Sequence, residues 1–174
     1  MSLVQAVITK KYLLLGADQR AIKKDIIKEN CNKIIKINDK IMFGCTGGAI
    51  DNSILFEGFC GYNEDIGYYN LDKPYNNLTY REFVSIIRNK YNQMYSEHKN
   101  TSNLTKYHIN SIVCGYNNSD FEITIFSMNT SYASDGIRVA KRNISLPFFC
   151  ISLGDEKHFK NLDNTIGLSF FNKI

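Results

Sequence analysis

Apolar and polar positions divide the chain into a strand-like opening, a helical middle and a second strand-like stretch. Leu3 to Thr9 and Tyr12 to Ala17 are rich in Val, Ile and Leu and read as two strands joined across Lys10-Lys11. Both runs are almost unbroken in apolar character, which predicts cover on both faces. Arg20 to Asn30 is charged and reads as a connector. Asn32 to Ile37 and Lys40 to Cys45 predict a second hairpin. Its turn is Asn38-Asp39, two residues that tolerate positive φ.

The period changes after Gly47-Gly48. Ile50, Ile54, Leu55 and Phe59 recur at helical spacing, with Gly61 as a stop. Tyr62 to Leu78 is rich in Asp, Asn and Gly and reads as a loop. Thr79-Tyr80-Arg81-Glu82 has the form of a capping box, and Phe83, Ile87, Tyr91 and Met94 then share one face. The spacing predicts a helix from there to about His98. Strand patterns return at His108 to Tyr116, Phe121 to Met128, Ile137 to Ala140 and Pro147 to Leu153, and a short helix is expected over Glu156 to Leu162. Helices grouped between strand blocks argue against a doubly wound parallel sheet. They predict two mainly antiparallel sheets with helices packed outside.

Composition narrows the setting. A chain of 174 residues suits one domain, residues 1–174, with a layered core. The net charge of +4 comes without a dense Lys/Arg stripe, so no nucleic-acid partner is expected. The 5 cysteines are odd in number and lack CxxC spacing, which points to neither a disulfide framework nor a zinc site. Cys45, Cys114 and Cys150 lie in apolar runs and read as reduced buried thiols, favouring a cytoplasmic setting. His98, His108 and His158 show no metal spacing. No run is long enough to span a bilayer and no signal peptide is evident, so no membrane partner is expected, and no cofactor is suggested. Met1-Ser2-Leu3 also reads as a vector leader.

The candidate chemistry lies between Tyr12 and Gly48: an acid ends one strand, a lysine heads a later one, and a glycine pair marks an exit. Gly16-Ala17-Asp18-Gln19-Arg20-Ala21, then Asn32-Lys33-Ile34, then Thr46-Gly47-Gly48-Ala49-Ile50-Asp51 resembles the proteasome subunit family. That family includes the bacterial two-component ATP-dependent protease and belongs to the N-terminal nucleophile hydrolases. A weaker likeness continues through Ile112 to Phe126 and Phe148 to Gly154, with Ser152-Leu153-Gly154-Asp155 standing where the family has a Ser-Gly element. The resemblance implies an α+β fold, a four-layer αββα sandwich of two antiparallel sheets. It also implies a C-terminal part shortened relative to the family.

The resemblance further implies a division of labour. Ser2 falls at the nucleophile, whose own α-amine serves as base once Met1 is removed. Lys33 matches the lysine that favours the alkoxide, and Asp18 the acid that orients it. Gly47 matches the oxyanion-stabilising amide. The implied activity is hydrolysis of peptide or amide bonds by a cytoplasmic homo-oligomer, ring-forming in the family's manner, with a regulatory ATPase as a further partner. The alternative is a non-catalytic subunit that keeps the fold for assembly or binding. The residues themselves leave plainer readings open. Asp18 also suits a strand-to-loop cap, Lys33 a solvated strand edge, Gly47-Gly48 a tight turn, and Thr46 and Ser152 ordinary strand-end hydroxyls.

Overall fold

The computed structural model describes residues 3–9, 11–19, 21–23, 26–28, 32–47, 55, 60–63, 68–71, 75–100, 108–117, 120–129, 137–143 and 148–154. Thr79 and Glu82 close the expected capping box at the head of helix α1 (Tyr80–Asn100). The Glu82 carboxylate accepts the Thr79 amide at 2.8 Å, and the Glu82 amide donates to Thr79 Oγ1 at 3.3 Å. Two orphan donors of the first turn are thereby satisfied. The helical period then puts Phe83, Ile87, Tyr91 and Met94 on one buried face.

That face packs on a five-stranded antiparallel sheet. Its strands are β5 (Ile34–Asn38), β6 (Ile41–Gly47), β9 (His108–Asn117), β10 (Asp120–Asn129) and β11 (Ile137–Asn143), in the order β11-β10-β9-β6-β5. The period of two divides each strand between two cores. Ile35, Ile37, Ile41, Phe43, Ile109, Val113, Phe126 and Met128 meet the helix and helical Leu55. Phe43 meets Phe83 edge-on at 5.6 Å, and Tyr91 stacks on Phe126 at 5.3 Å. Buried phenols need partners, and both have them. Tyr91 donates to Ser111 Oγ at 3.0 Å, while Tyr80 Oη lies 2.8 Å from Thr124 Oγ1.

The opposite face of the sheet carries Ile112, Cys114, Ile123 and Ile125. These pack on Val4, Ala6 and Ile8 of a second antiparallel sheet. It comprises β1 (Leu3–Thr9), β2 (Leu13–Ala17) and β12 (Phe148–Gly154), with β1 in the middle. Each fully buried Ile or Phe in these layers contributes roughly 1.5–3 kcal/mol relative to exposure. Gly44 lets the two sheets approach, since a Cβ there would sit 2.8 Å from Val4 Cγ1. The described residues thus supply helix, sheet and sheet, three consecutive layers of the expected αββα sandwich.

Several expectations are corrected. The connector Arg20 to Asn30 contains two short paired strands, β3 (Ala21–Lys23) and β4 (Ile26–Lys28). The expected loop after Gly61 contains another pair, β7 (Cys60–Asn63) and β8 (Tyr68–Leu71). Backbone pairing wins in both places although side-chain alternation is weak. The β5–β6 turn falls on Asp39-Lys40, one residue later than expected. Strand β2 is not covered on both faces: among the described strands it lies at the edge of its sheet, and Leu14 is 63% exposed. The helix expected from Ile50 to Phe59 lies outside the described residues apart from Leu55, and the one expected over Glu156 to Leu162 lies wholly outside them.

Candidate functional site

The β1–β2 hairpin fixes the first half of the site. Its turn is held by Thr9, whose amide donates to the Tyr12 carbonyl at 2.8 Å and whose Oγ1 accepts the Tyr12 amide at 2.9 Å. The resulting register pairs Val4 with Ala17, so Asp18 emerges beside Leu3. The Asp18 amide donates to the Leu3 carbonyl at 3.1 Å, and the Leu3 amide donates to Asp18 Oδ1 at 2.5 Å. The carboxylate therefore grips the chain at the amide that joins Ser2 to Leu3. Ser2 itself lies outside the described residues.

The second half comes from the five-stranded sheet. Asn32 Oδ1 accepts the Ile34 amide at 3.1 Å, turning the chain into β5. Just before that strand the Lys33 carbonyl accepts the Cys45 amide at 3.1 Å. Lys33 Nζ then donates to Asp18 Oδ2 at 2.7 Å, tying the two sheets together at one end. Lys33 is only 8% exposed, while Asp18 remains 33% exposed. A largely buried ammonium needs a countercharge, and Asp18 provides one at hydrogen-bonding distance. The solvated strand-edge reading of Lys33 is thereby excluded.

Next to Cys45 on β6, Thr46 is 2% exposed and its Oγ1 has no hydrogen-bond partner among the described residues. Gly47 follows with φ 126°, a conformation that glycine adopts without strain. Thr46 pairs with Asn110 and Asn110 with Ser127 across the sheet, and Ser127 Oγ donates to Asn110 Oδ1 at 2.6 Å. This polar row sits at the same end of the sheet as the Lys33–Asp18 pair. Asn110 and Ser127 carry no sequence signal, being polar residues inside strands. On the other flank Leu3 pairs with Gly154, the close of the segment that resembles the family's Ser-Gly element; Asp155 lies outside the described residues.

Of the four expected site residues, the structure joins Asp18 and Lys33 directly and sets Gly47 two residues beyond the Cys45 amide that Lys33 receives. Such an arrangement holds the Lys33 ammonium against Asp18 at a place of low exposure, where charges interact more strongly than in water. Among the described residues no group of His, Cys, Asp or Glu has the arrangement of a metal site, and no helix is long and apolar enough to cross a membrane.

Two stacked antiparallel sheets, a helix on one outer face and a lysine–aspartate pair between the sheets define a subunit of the proteasome type. The family profile described as "Proteasome subunit" matches residues 3–140, and the chain belongs to the proteasome subunit family. Among solved structures it is similar to the crystal structure of eukaryotic HslV from Trypanosoma brucei. The two share 15% identity and a TM-score of 0.48, over 94% of this chain and 78% of that one. No curated protein matches it.

Proposed function

We propose that this proteasome-type subunit hydrolyses peptide or amide bonds, with Ser2 as N-terminal nucleophile after removal of Met1. The supporting observation is the 2.7 Å contact between Lys33 Nζ and Asp18 Oδ2, made while the other oxygen of the same carboxylate holds the amide following Ser2. In this reading the Ser2 α-amine, which titrates near pH 8 when free, takes the proton of its own hydroxyl. The alkoxide attacks the substrate carbonyl, and Lys33 stabilises the negative charge on the nucleophile. The Gly47 amide receives the oxyanion. Collapse expels the amine, which carries off the proton held by the α-amine. Water then cleaves the acyl-enzyme ester and regenerates Ser2.

The family's manner of assembly supports a homo-oligomer, which we place in the cytoplasm as a ring with a regulatory ATPase as partner. The test is made on protein expressed from the unmodified coding sequence. Intact mass should show Met1 removed, and a fluorogenic peptide panel should be cleaved by wild type but not by Ser2→Ala or Lys33→Ala. Complete retention of Met1 would remove the base and leave a non-catalytic subunit for assembly or binding.

A further inference from the structure

A cleft of about 220 Å³ opens on the helix side of the five-stranded sheet, away from the Lys33–Asp18 pair. One wall is a single face of α1: Tyr80, Arg81, Val84, Ser85 and Arg88. The other is β10, through Glu122 and Thr124. Arg81 and Arg88 are exposed, and neither forms an ion pair with a described residue. They lie seven residues apart, about two turns, with Ser85 between them on the same face. The rim therefore offers two guanidinium forks and a hydroxyl, a set suited to a phosphate or carboxylate.

The floor has the opposite character. Glu122 is 7% exposed, and its Oε1 accepts Asn117 Nδ2 at 2.9 Å. The hydroxyls of Tyr80 and Thr124 lie 2.8 Å apart beside it. Burial pushes the Tyr80 phenol well above its usual range, so the group stays a neutral hydroxyl. A bare anion is drawn to the rim, whereas the Glu122 oxygens are acceptors that call for a hydrogen-bond donor. A ligand filling the whole cleft must be anionic at one end and present hydrogen-bond donors at the other. The volume is below the roughly 300–1,000 Å³ of drug-sized sites, which limits the ligand to about one ring.

We propose that this cleft binds a small hydroxylated anion of the sugar-phosphate class, phosphate at Arg81 and Arg88 and hydroxyls at Glu122 and Thr124. Neither the family's fold nor the hydrolase reading requires such a site. The cleft is built from described side chains of one subunit and needs no partner copy.

Isothermal titration of the intact, assembled protein with glucose 6-phosphate, inorganic phosphate and glucose tests the assignment. Saturable binding of glucose 6-phosphate is expected, with inorganic phosphate and glucose each weaker by at least about tenfold. Arg81→Ala and Arg88→Ala alter exposed side chains and should each weaken it by about tenfold without changing the thermal midpoint. Thr124→Val and Glu122→Gln should narrow the gap between the sugar phosphate and inorganic phosphate. No binding of the sugar phosphate, equal affinity for inorganic phosphate, or full affinity in both arginine variants would each overturn the proposal.

Discussion

Asp18 divides its carboxylate between a side chain and the backbone: Oδ2 receives Lys33 Nζ at 2.7 Å, and Oδ1 receives the Leu3 amide. One residue thus clamps the start of β1 and the approach to β5. Asp18→Asn keeps the shape but removes the charge. We expect it to lower stability by about 2 kcal/mol, the worth of hydrogen bonds to a charged group, as read by urea unfolding. If Ser2 is the nucleophile as proposed, peptide cleavage should fall by more than the loss of folded protein accounts for, because Lys33 loses its charged partner.

Gly47 supplies a second check. At φ 126° an alanine is strained, and Gly47→Ala should cost about 1–3 kcal/mol. If the Gly47 amide receives the oxyanion, kcat falls further, while KM for a peptide substrate changes little. Equal losses in stability and activity would reduce Gly47 to a turn residue.

The contact between α1 and β9 depends on Gly115. A Cβ there would lie 2.5 Å from the Tyr80 ring and 2.8 Å from the Lys40 carbonyl. The second neighbour is backbone and cannot swing away. Gly115→Ala should therefore destabilise by about 1–3 kcal/mol, with a change in near-ultraviolet dichroism from Tyr80. Gly44→Ala meets the Val4 and Ile112 methyl groups instead and tests the spacing of the two sheets in the same way.

Cys114 makes stability sensitive to alkaline pH. Burial pushes its thiol from 9.0 up to about 12. Below pH 9 both folded and unfolded chains keep the proton, and the group costs nothing. As pH rises from 9 towards 12, the unfolded chain ionises while the folded one does not, so stability falls across that window. Cys114→Ala or Cys114→Ser should flatten the decline in a series of urea unfolding curves. In the native state near pH 7 the thiol should not react with a thiol reagent until the protein unfolds.

Helix α1 offers a more local test. Thr79→Ala removes the cap and the hydroxyl that, together with the Thr79 amide, holds the Glu82 carboxylate below its usual range. The expected cost is about 1 kcal/mol at neutral pH. A depressed carboxylate stabilises the fold above its unfolded pKa and loses that effect as pH falls through the folded value. The difference between wild type and variant should therefore shrink in acid.

Much of this was legible in the chain because the signals were local. The capping box at Thr79 and Glu82, the apolar face from Phe83 to Met94 and the paired runs around Lys10-Lys11 each depend on residues a few positions apart. The meeting of Asp18 and Lys33 was anticipated only through the family resemblance, since no local pattern brings the two together. The β3–β4 and β7–β8 pairs were missed because Lys, Asp, Tyr and Asn there obscure a two-residue period. The exposed face of β2 was missed for the opposite reason: a continuous apolar run does not reveal which side meets solvent. Thr46, Asn110 and Ser127 converge only through register across three strands.

Strand β1 has β2 on one side and β12 on the other, with Leu3 facing Gly154. A nascent chain emerging from the ribosome can form the hairpin at once, yet β1 keeps a bare edge until some 150 residues have been translated. The sheet around Leu3 is therefore completed last, after every other described strand exists. An unfinished chain thus lacks the strand that pairs with Leu3.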